Sequence, residues 1–169
     1  MHGVEGINIA SGELAAIVAP PDFAVELILD YLNHSDGLLY VSGNSSLILP
    51  RFSRFKLSFD VRRAFTAYQL MQILEEAHQS MLFIEHDGFE DEVSHSFIEA
   101  LFLGMREIAR DGAAVIVYSY KMDRFMDFIV RNADRFIAAR KVNGGFVIWD
   151  SGVEMFVHSN NRTLGDLYG

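Results

Sequence analysis

Seven side chains able to bind a divalent cation or move a proton crowd into one stretch: Glu85, His86, Asp87, Glu90, Asp91, Glu92 and His95. They follow the apolar run 81–84, which has the length of a buried strand, and ligands of open α/β sheets gather beyond the carboxyl ends of strands. Carboxylate oxygens beside imidazole suit a divalent metal, with Glu85, Asp87, Asp91 and His95 as the candidate ligands. The spacing matches no zinc signature. The same residues also read as a solvated acidic loop whose charges complement the dipole of the helix that follows.

A second concentration is basic. Arg51, Arg54, Lys56, Arg62 and Arg63 are interleaved with Phe52 and Phe55, and cations alternating with stacking rings are the pattern of a nucleic-acid or acidic-partner patch. Against it stands the whole chain, with 14 Lys and Arg, 23 Asp and Glu and a formal charge of −9, a field that opposes contact with polyphosphate. The competing reading makes these residues ordinary contacts spread across a strand and a loop. Ser42, Gly43, Asn44, Ser45 and Ser46 have the types of an anion-cradling nest but read first as a turn after a strand. His34, His78 and His158 stand alone and support no triad. The chain has no cysteine, which removes disulfides, thiolate metal sites and cysteine nucleophiles, and fits a reducing cytoplasm.

The third chemical stretch is 11–37, SGELAAIVAPPDFAVELILDYLNHSDG. An apolar run at 14–19 meets the Pro20-Pro21-Asp22 break, and an amphipathic segment follows at 23–33. This is a strand, a tight turn and a helix, the outline of a phosphate-binding corner. Further strands are expected at 38–41, 56–61, 81–84 and 113–118, and helices at 64–78, 97–110 and 122–131. Gly112 ends the helix at 97–110. The pattern then changes to short strands at 136–142, 146–149 and 154–158, an antiparallel edge. Met71, Met81, Met105, Met122 and Met126 fall on apolar stretches and are expected in the core. Strands alternating with helices give an α/β fold with a mostly parallel sheet covered on both faces. One domain over 1–169 is expected, with 1–10 a loose leading segment and 159–169 a tail. No run is apolar enough for a membrane span, and the first residues do not have the make-up of a secretory signal.

Several segments, in order, resemble the ATPase core of the RecA/RadA (KaiC-like) superfamily. Gly12-Glu13-Leu14 matches its lead-in to the first strand and phosphate loop. The segment 38–52 is similar to its second strand with a downstream Arg, and Arg63-Ala64-Phe65 followed by Gln69 to its Arg-Ala-Phe segment. MLFIEH at 81–86 lies where its Walker B strand belongs, and AAVIVYSY at 113–120 where its sensor strand does. The resemblance implies a three-layer RecA-like core over about residues 6–150.

The departures from that pattern carry the functional expectation. In the phosphate loop 19–26 (Ala19, Pro20, Pro21, Asp22, Phe23, Ala24, Val25, Glu26), Ala19 and Ala24 stand for glycines, Val25 for the phosphate-binding Lys and Glu26 for the Mg²⁺-holding hydroxyl. Asn44 replaces the general-base Glu, Ser42 the Asp before it, and Tyr120 the sensor Gln; Glu85 aligns with the Walker B Asp. Asp22 is expected to cap its own helix and to fill the phosphate niche with a built-in carboxylate. The loops corresponding to the family's DNA contacts do not resemble a single-strand site, which needs cations and stacking rings: 88–95 is acidic, and 119–125 is short and without the family's Gly-rich loop. The resemblance therefore implies a non-catalytic, cytoplasmic protein without cofactor, acting through contacts with a RecA/RadA-type recombinase or with itself, in recombination or repair. Tyr168, the C-terminal strands and the basic segment are the expected interface. A nucleotide switch with an unconventional loop and a DNA-binding accessory are the alternatives.

Overall fold

The computed structural model describes residues 7–35, 37–88 and 92–159; Asp36, Glu90, Asp91, Tyr168 and the rest of the tail from 160 lie outside them. In chain order the elements are β1 (Leu14–Val18), α1 (Pro21–His34), β2 (Leu38–Ser42), a 3-10 turn (Leu49–Phe52), β3 (Asp60–Arg63), α2 (Ala67–Glu76), β4 (Met81–Glu85), α3 (His95–Arg110), β5 (Ala114–Ser119), α4 (Arg124–Asn132), β6 (Arg135–Val142), β7 (Gly145–Asp150) and β8 (Val153–His158). One eight-stranded sheet runs β3-β2-β4-β5-β1-β6-β7-β8. The first six strands are mutually parallel, and β7 runs antiparallel to both β6 and β8.

The α/β class, the mostly parallel sheet and the antiparallel C-terminal edge are as the sequence leads one to expect. Two apolar clusters flank the sheet. On one face α1 packs Phe23, Ala24, Leu27 and Ile28 onto Ile17, Tyr40, Phe83, Ile116 and Phe146. On the other, α2, α3 and α4 pack Leu70, Leu101, Met105, Phe125 and Ile129 onto Leu14, Leu82, Val115 and Val117. Strands β2, β4 and β5 are buried along their whole length, because a central parallel strand is covered on both faces and has no polar side.

Element ends follow local hydrogen bonding more than hydrophobic period. Helix α2 begins at Ala67, not 64, because Thr66 and Gln69 form a reciprocal capping box. Helix α4 begins at Arg124, where the Asp123 side chain accepts the Met126 N–H at 2.9 Å. That leaves Met122 exposed before the helix, which corrects its expected place in the core. Gly112 adopts φ +112° just beyond α3, a left-handed conformation that favours glycine. The third strand lies at Asp60–Arg63, later than the expected 56–61, because Leu57 and Phe59 turn inward to pack against the α1-side core.

Phe23 is fully buried at the start of α1 and meets Phe146 of β7 edge to face, with ring centres 5.4 Å apart. Phe23→Ala removes this link between the first corner and the antiparallel edge. It is expected to lower unfolding free energy by about 3–5 kcal/mol, read from the midpoint of urea denaturation.

Candidate functional site

The carboxyl ends of β4, β5 and β1, consecutive neighbours in the sheet, bring Glu85, Ser119 and the turn 19–22 to one edge. The turn is tight because Pro20 and Pro21 hold φ near the value a helix start requires. Pro20 occupies the N-cap position, Pro21 opens α1, and no side chain caps the helix. The expectation that Asp22 caps its own helix is therefore corrected. Its carboxylate turns sideways instead and receives the guanidinium of Arg51 and the ammonium of Lys141, one on each oxygen. Arg51 arrives on the 3-10 turn Leu49–Phe52, and Lys141 from the far end of β6. Partial burial raises the Asp22 carboxyl, but the hydrogen bonds and charges of Lys141 and Arg51 outweigh it and hold it below the usual carboxylate value. A carboxylate beside the first turn of α1, held between two cations, fits the built-in-anion expectation in charge, while its hydrogen bonds are to side chains.

The rest of the turn faces inward. Ala19, Phe23, Ala24, Val25 and Glu26 are buried, and the Glu26 carboxylate accepts the Ser159 hydroxyl at 2.7 Å. Val25 and Glu26 thus belong to packing and to a tie with the end of β8. The hydroxyl of Tyr118, on β5, donates to the Ala19 carbonyl at 2.9 Å and fixes the start of the turn. Burial, and then the charge of Glu85, raise that hydroxyl far above its ordinary value, so it stays a donor.

Glu85 is 5% exposed and its carboxylate is spoken for. It accepts the Tyr40 and Ser46 hydroxyls, each at 2.5 Å, and the Leu47 N–H at 2.8 Å. Burial and the Glu85 charge push the Tyr40 hydroxyl well above its ordinary value, which keeps its proton on the oxygen that donates. Of the other metal candidates, Asp87 is exposed and accepts the Asn44 N–H at 2.8 Å, lying so close over Gly43 that a Cβ there would meet its carboxylate at 1.9 Å. His95 opens α3 and pairs with Glu99 at 3.1 Å while meeting the Phe128 ring edge-on. Asp91 lies outside the described residues. Among the described residues no three His, Asp or Glu come together in a way that would hold a metal ion, so Glu85, Asp87 and His95 are not one centre.

The basic residues also separate. Arg51 goes to Asp22, Arg62 pairs with Glu76 at 2.8 Å, and Arg63 approaches the Ser42 hydroxyl at 3.4 Å. Arg54 and Lys56 are exposed. The rings expected to interleave with them turn inward: Phe52 is buried, with Phe55 and Phe59 edge-on against it.

The structure adds a cleft of about 340 Å³ between the ends of β4 and β5, lined in part by Ser45, His86, Tyr120, Lys121 and Asp123. The buried His86 imidazole meets Asp123 at 2.5 Å and stacks against Phe125. Asp123 is recognisable in sequence as a helix cap; its histidine partner, 37 residues earlier, is not. Tyr120, at the expected sensor position, is 59% exposed on the rim.

An uncharacterized protein of Archaeoglobus fulgidus is 39% identical over 142 residues, spanning 81% of this chain and 70% of that protein. This chain belongs to that protein's family. No family model matches the chain. The alignment is long enough to include most of the sheet, so the two members share far more than one local motif.

Two measurements test these assignments. Glu85→Ala strips three donors, the buried Tyr40 hydroxyl among them, of their acceptor and is expected to cost about 3 kcal/mol or more of stability, with Glu85→Gln costing less; urea denaturation reads both. Asp22 has a folded value below its unfolded one, so its contribution is complete above the unfolded value and is lost as pH falls through the folded one. Below pH ~4, Asp22→Asn is expected to show a shallower acid loss of melting temperature than the parent chain. At pH 7 that variant should cost at most about 1 kcal/mol, because both cations are half exposed.

Proposed function

We propose that this chain is a non-catalytic relative of the RecA/RadA ATPases that acts through protein contacts, on a RecA-type recombinase or another RecA-like partner, in recombination or repair. The observation that carries the reading is the state of the first corner. Where a phosphate loop presents backbone N–H groups, a Lys and a hydroxyl to nucleotide, this chain presents its own carboxylate, Asp22, with Arg51 and Lys141 directed at it. Val25 and Glu26 are packed away beside it. A triphosphate brought there meets an anion whose removal would strand two cations.

The kinship draws support from the arrangement of the sheet. The strand with the phosphate-loop outline, the strand ending in Glu85 and the strand running into Tyr120 lie side by side with their carboxyl ends together. Chemistry that the resemblance distributes over three separate sequence segments falls on one edge. At that edge Asn44 is exposed and engages Asp87 through its backbone, and an amide in that position supplies no base to activate water. The cytoplasm is the compartment this reading requires.

The alternative of a nucleotide switch rests on Arg51 and Lys141, two cations already beside a helix N-terminus, a setting that favours anions. Isothermal titration with Mg-ATP separates the readings. No heat of binding is expected, and clear micromolar affinity would sink the non-catalytic reading. In parallel, adding the chain to the RecA-type recombinase of the same host is expected to change that enzyme's rate of ATP turnover; an unchanged rate, with no co-sedimentation, removes the proposed partner.

A further inference from the structure

The two edges of the sheet differ in a way that bears on assembly. Strand β3 closes one end with four residues, three of them charged (Asp60, Arg62 and Arg63), and short charged edges resist pairing. Strand β8 closes the other end with six residues, Val153–His158, without proline and in unbroken register with β7. Among the described residues nothing pairs with its outer side. Val153 and Phe156 on it are 61% and 49% exposed.

The ladder fixes which backbone groups face outward. The Ser159 N–H donates to Gly144 at 2.9 Å, and an antiparallel ladder bonds alternate residues. Residues 157, 155 and 153 therefore bond to β7, while 154, 156 and 158 direct their N–H and C=O groups to the free edge. An antiparallel partner must also present outward residues at every second position. A second copy of β8 does so in a register that is its own mirror: residue 156 opposite 156, and 154 opposite 158.

We propose that two copies of this chain join through β8, antiparallel about a two-fold axis at Phe156, continuing their two sheets into one. In that register the Glu154 carboxylate of each copy lies opposite the His158 imidazole of the other, an acceptor facing a donor. Phe156 lies against Phe156, and Met155 opposite Val157 on the α1 side. All three outward residues of each strand find hydrogen-bonding partners. An isologous contact of this kind closes on itself and does not propagate into fibres. The inference stands on the edge geometry and not on kinship with ATPases, so the Mg-ATP titration and the association state fail independently.

Light scattering behind size exclusion and sedimentation velocity on the full chain are expected to show a dimer. Phe156→Lys sets two ammonium groups opposite each other and should weaken it roughly tenfold or more, with the far-UV circular dichroism unchanged. Glu154→Lys should weaken it also, and adding His158→Glu should restore it. The chain has no cysteine, so register can be read without background. Phe156→Cys places two thiols on the axis, at a Cα separation of about 5.5 Å, within disulfide range, and should cross-link on mild oxidation. Val153→Cys places them on the order of 20 Å apart and should not. These two variants decide the question even if Phe156→Lys folds poorly. A monomer throughout, as when residues 160–169 or another protein cover the edge, overturns the proposal, and so does a dimer that Val153→Cys cross-links and Phe156→Cys does not.

Discussion

A carboxylate buried at the end of a central strand must be surrounded by donors, because its cost in a low-dielectric interior is otherwise several kcal/mol. Glu85 meets that demand by drawing three donors from the middle of β2 and the loop after it: Tyr40, Ser46 and the Leu47 amide. The consequence spreads outward. Ser46, while donating to Glu85, accepts the amides of Ile48 and Leu49 at 3.1 and 2.8 Å and so starts the 3-10 turn. The turn carries Arg51, which anchors its own Nε on the Leu47 carbonyl at 3.2 Å and extends its guanidinium to Asp22. One buried acid thus sets the loop, the loop sets the cation, and the cation sets the carboxylate at the head of α1.

That chain of dependence explains what sequence could and could not disclose. Fold class was legible because the central parallel strands are apolar runs and the helices repeat at their own period; β4 and β5 are buried at every position. Under the proposed kinship, Val25, Glu26 and Asn44 also stand out in the sequence, as departures from a pattern of known chemistry. Their contacts were not. Lys141 lies 119 residues from Asp22, and Ser159 lies 133 from Glu26, and nothing local to either member of a pair encodes the other. The acidic cluster left two readings open for the opposite reason. Closeness in sequence suggested one centre, but the strand ends at Glu85, which is buried, the chain beyond it leaves Asp87 exposed over Gly43, and His95 begins the next helix.

Contacts at the first corner also bear on why, under the proposed reading, such a corner would persist without ligand chemistry. Phosphate-binding residues can be lost at little cost to folding, since a loop shaped to bind a ligand is usually not shaped for maximal stability. Here the replacements take structural work: Val25 fills the α1-side core, Asp22 neutralises two cations, and Glu26 receives Ser159. Under the proposed kinship, a surface that once faced a ligand has become an internal joint. Reversing any one replacement would then leave a cavity or an uncompensated charge, so restoring nucleotide binding would require several changes at once.

The Glu26–Ser159 bond carries this joint to the opposite end of the sheet. Ser159 is the first residue beyond β8, and its amide closes the ladder onto Gly144 while its hydroxyl is held by α1. Gly145 permits the close approach, since a Cβ there would meet the Val157 carbonyl at 2.0 Å. The last strand is therefore fixed at its carboxyl end by the first helix, and its register against β7 is not free to slide. Burial of Val157 already favours one register, and this tie reinforces it. A strand that pairs across a two-fold axis depends on that register as well, because a shift of one residue would turn Phe156 away from its counterpart and set outward N–H groups against inward ones. Under the proposed kinship and the proposed pairing, the first corner and the free edge belong to one device, in which Glu26, at the place the resemblance gives to a Mg²⁺-holding hydroxyl, holds the pairing strand in register instead.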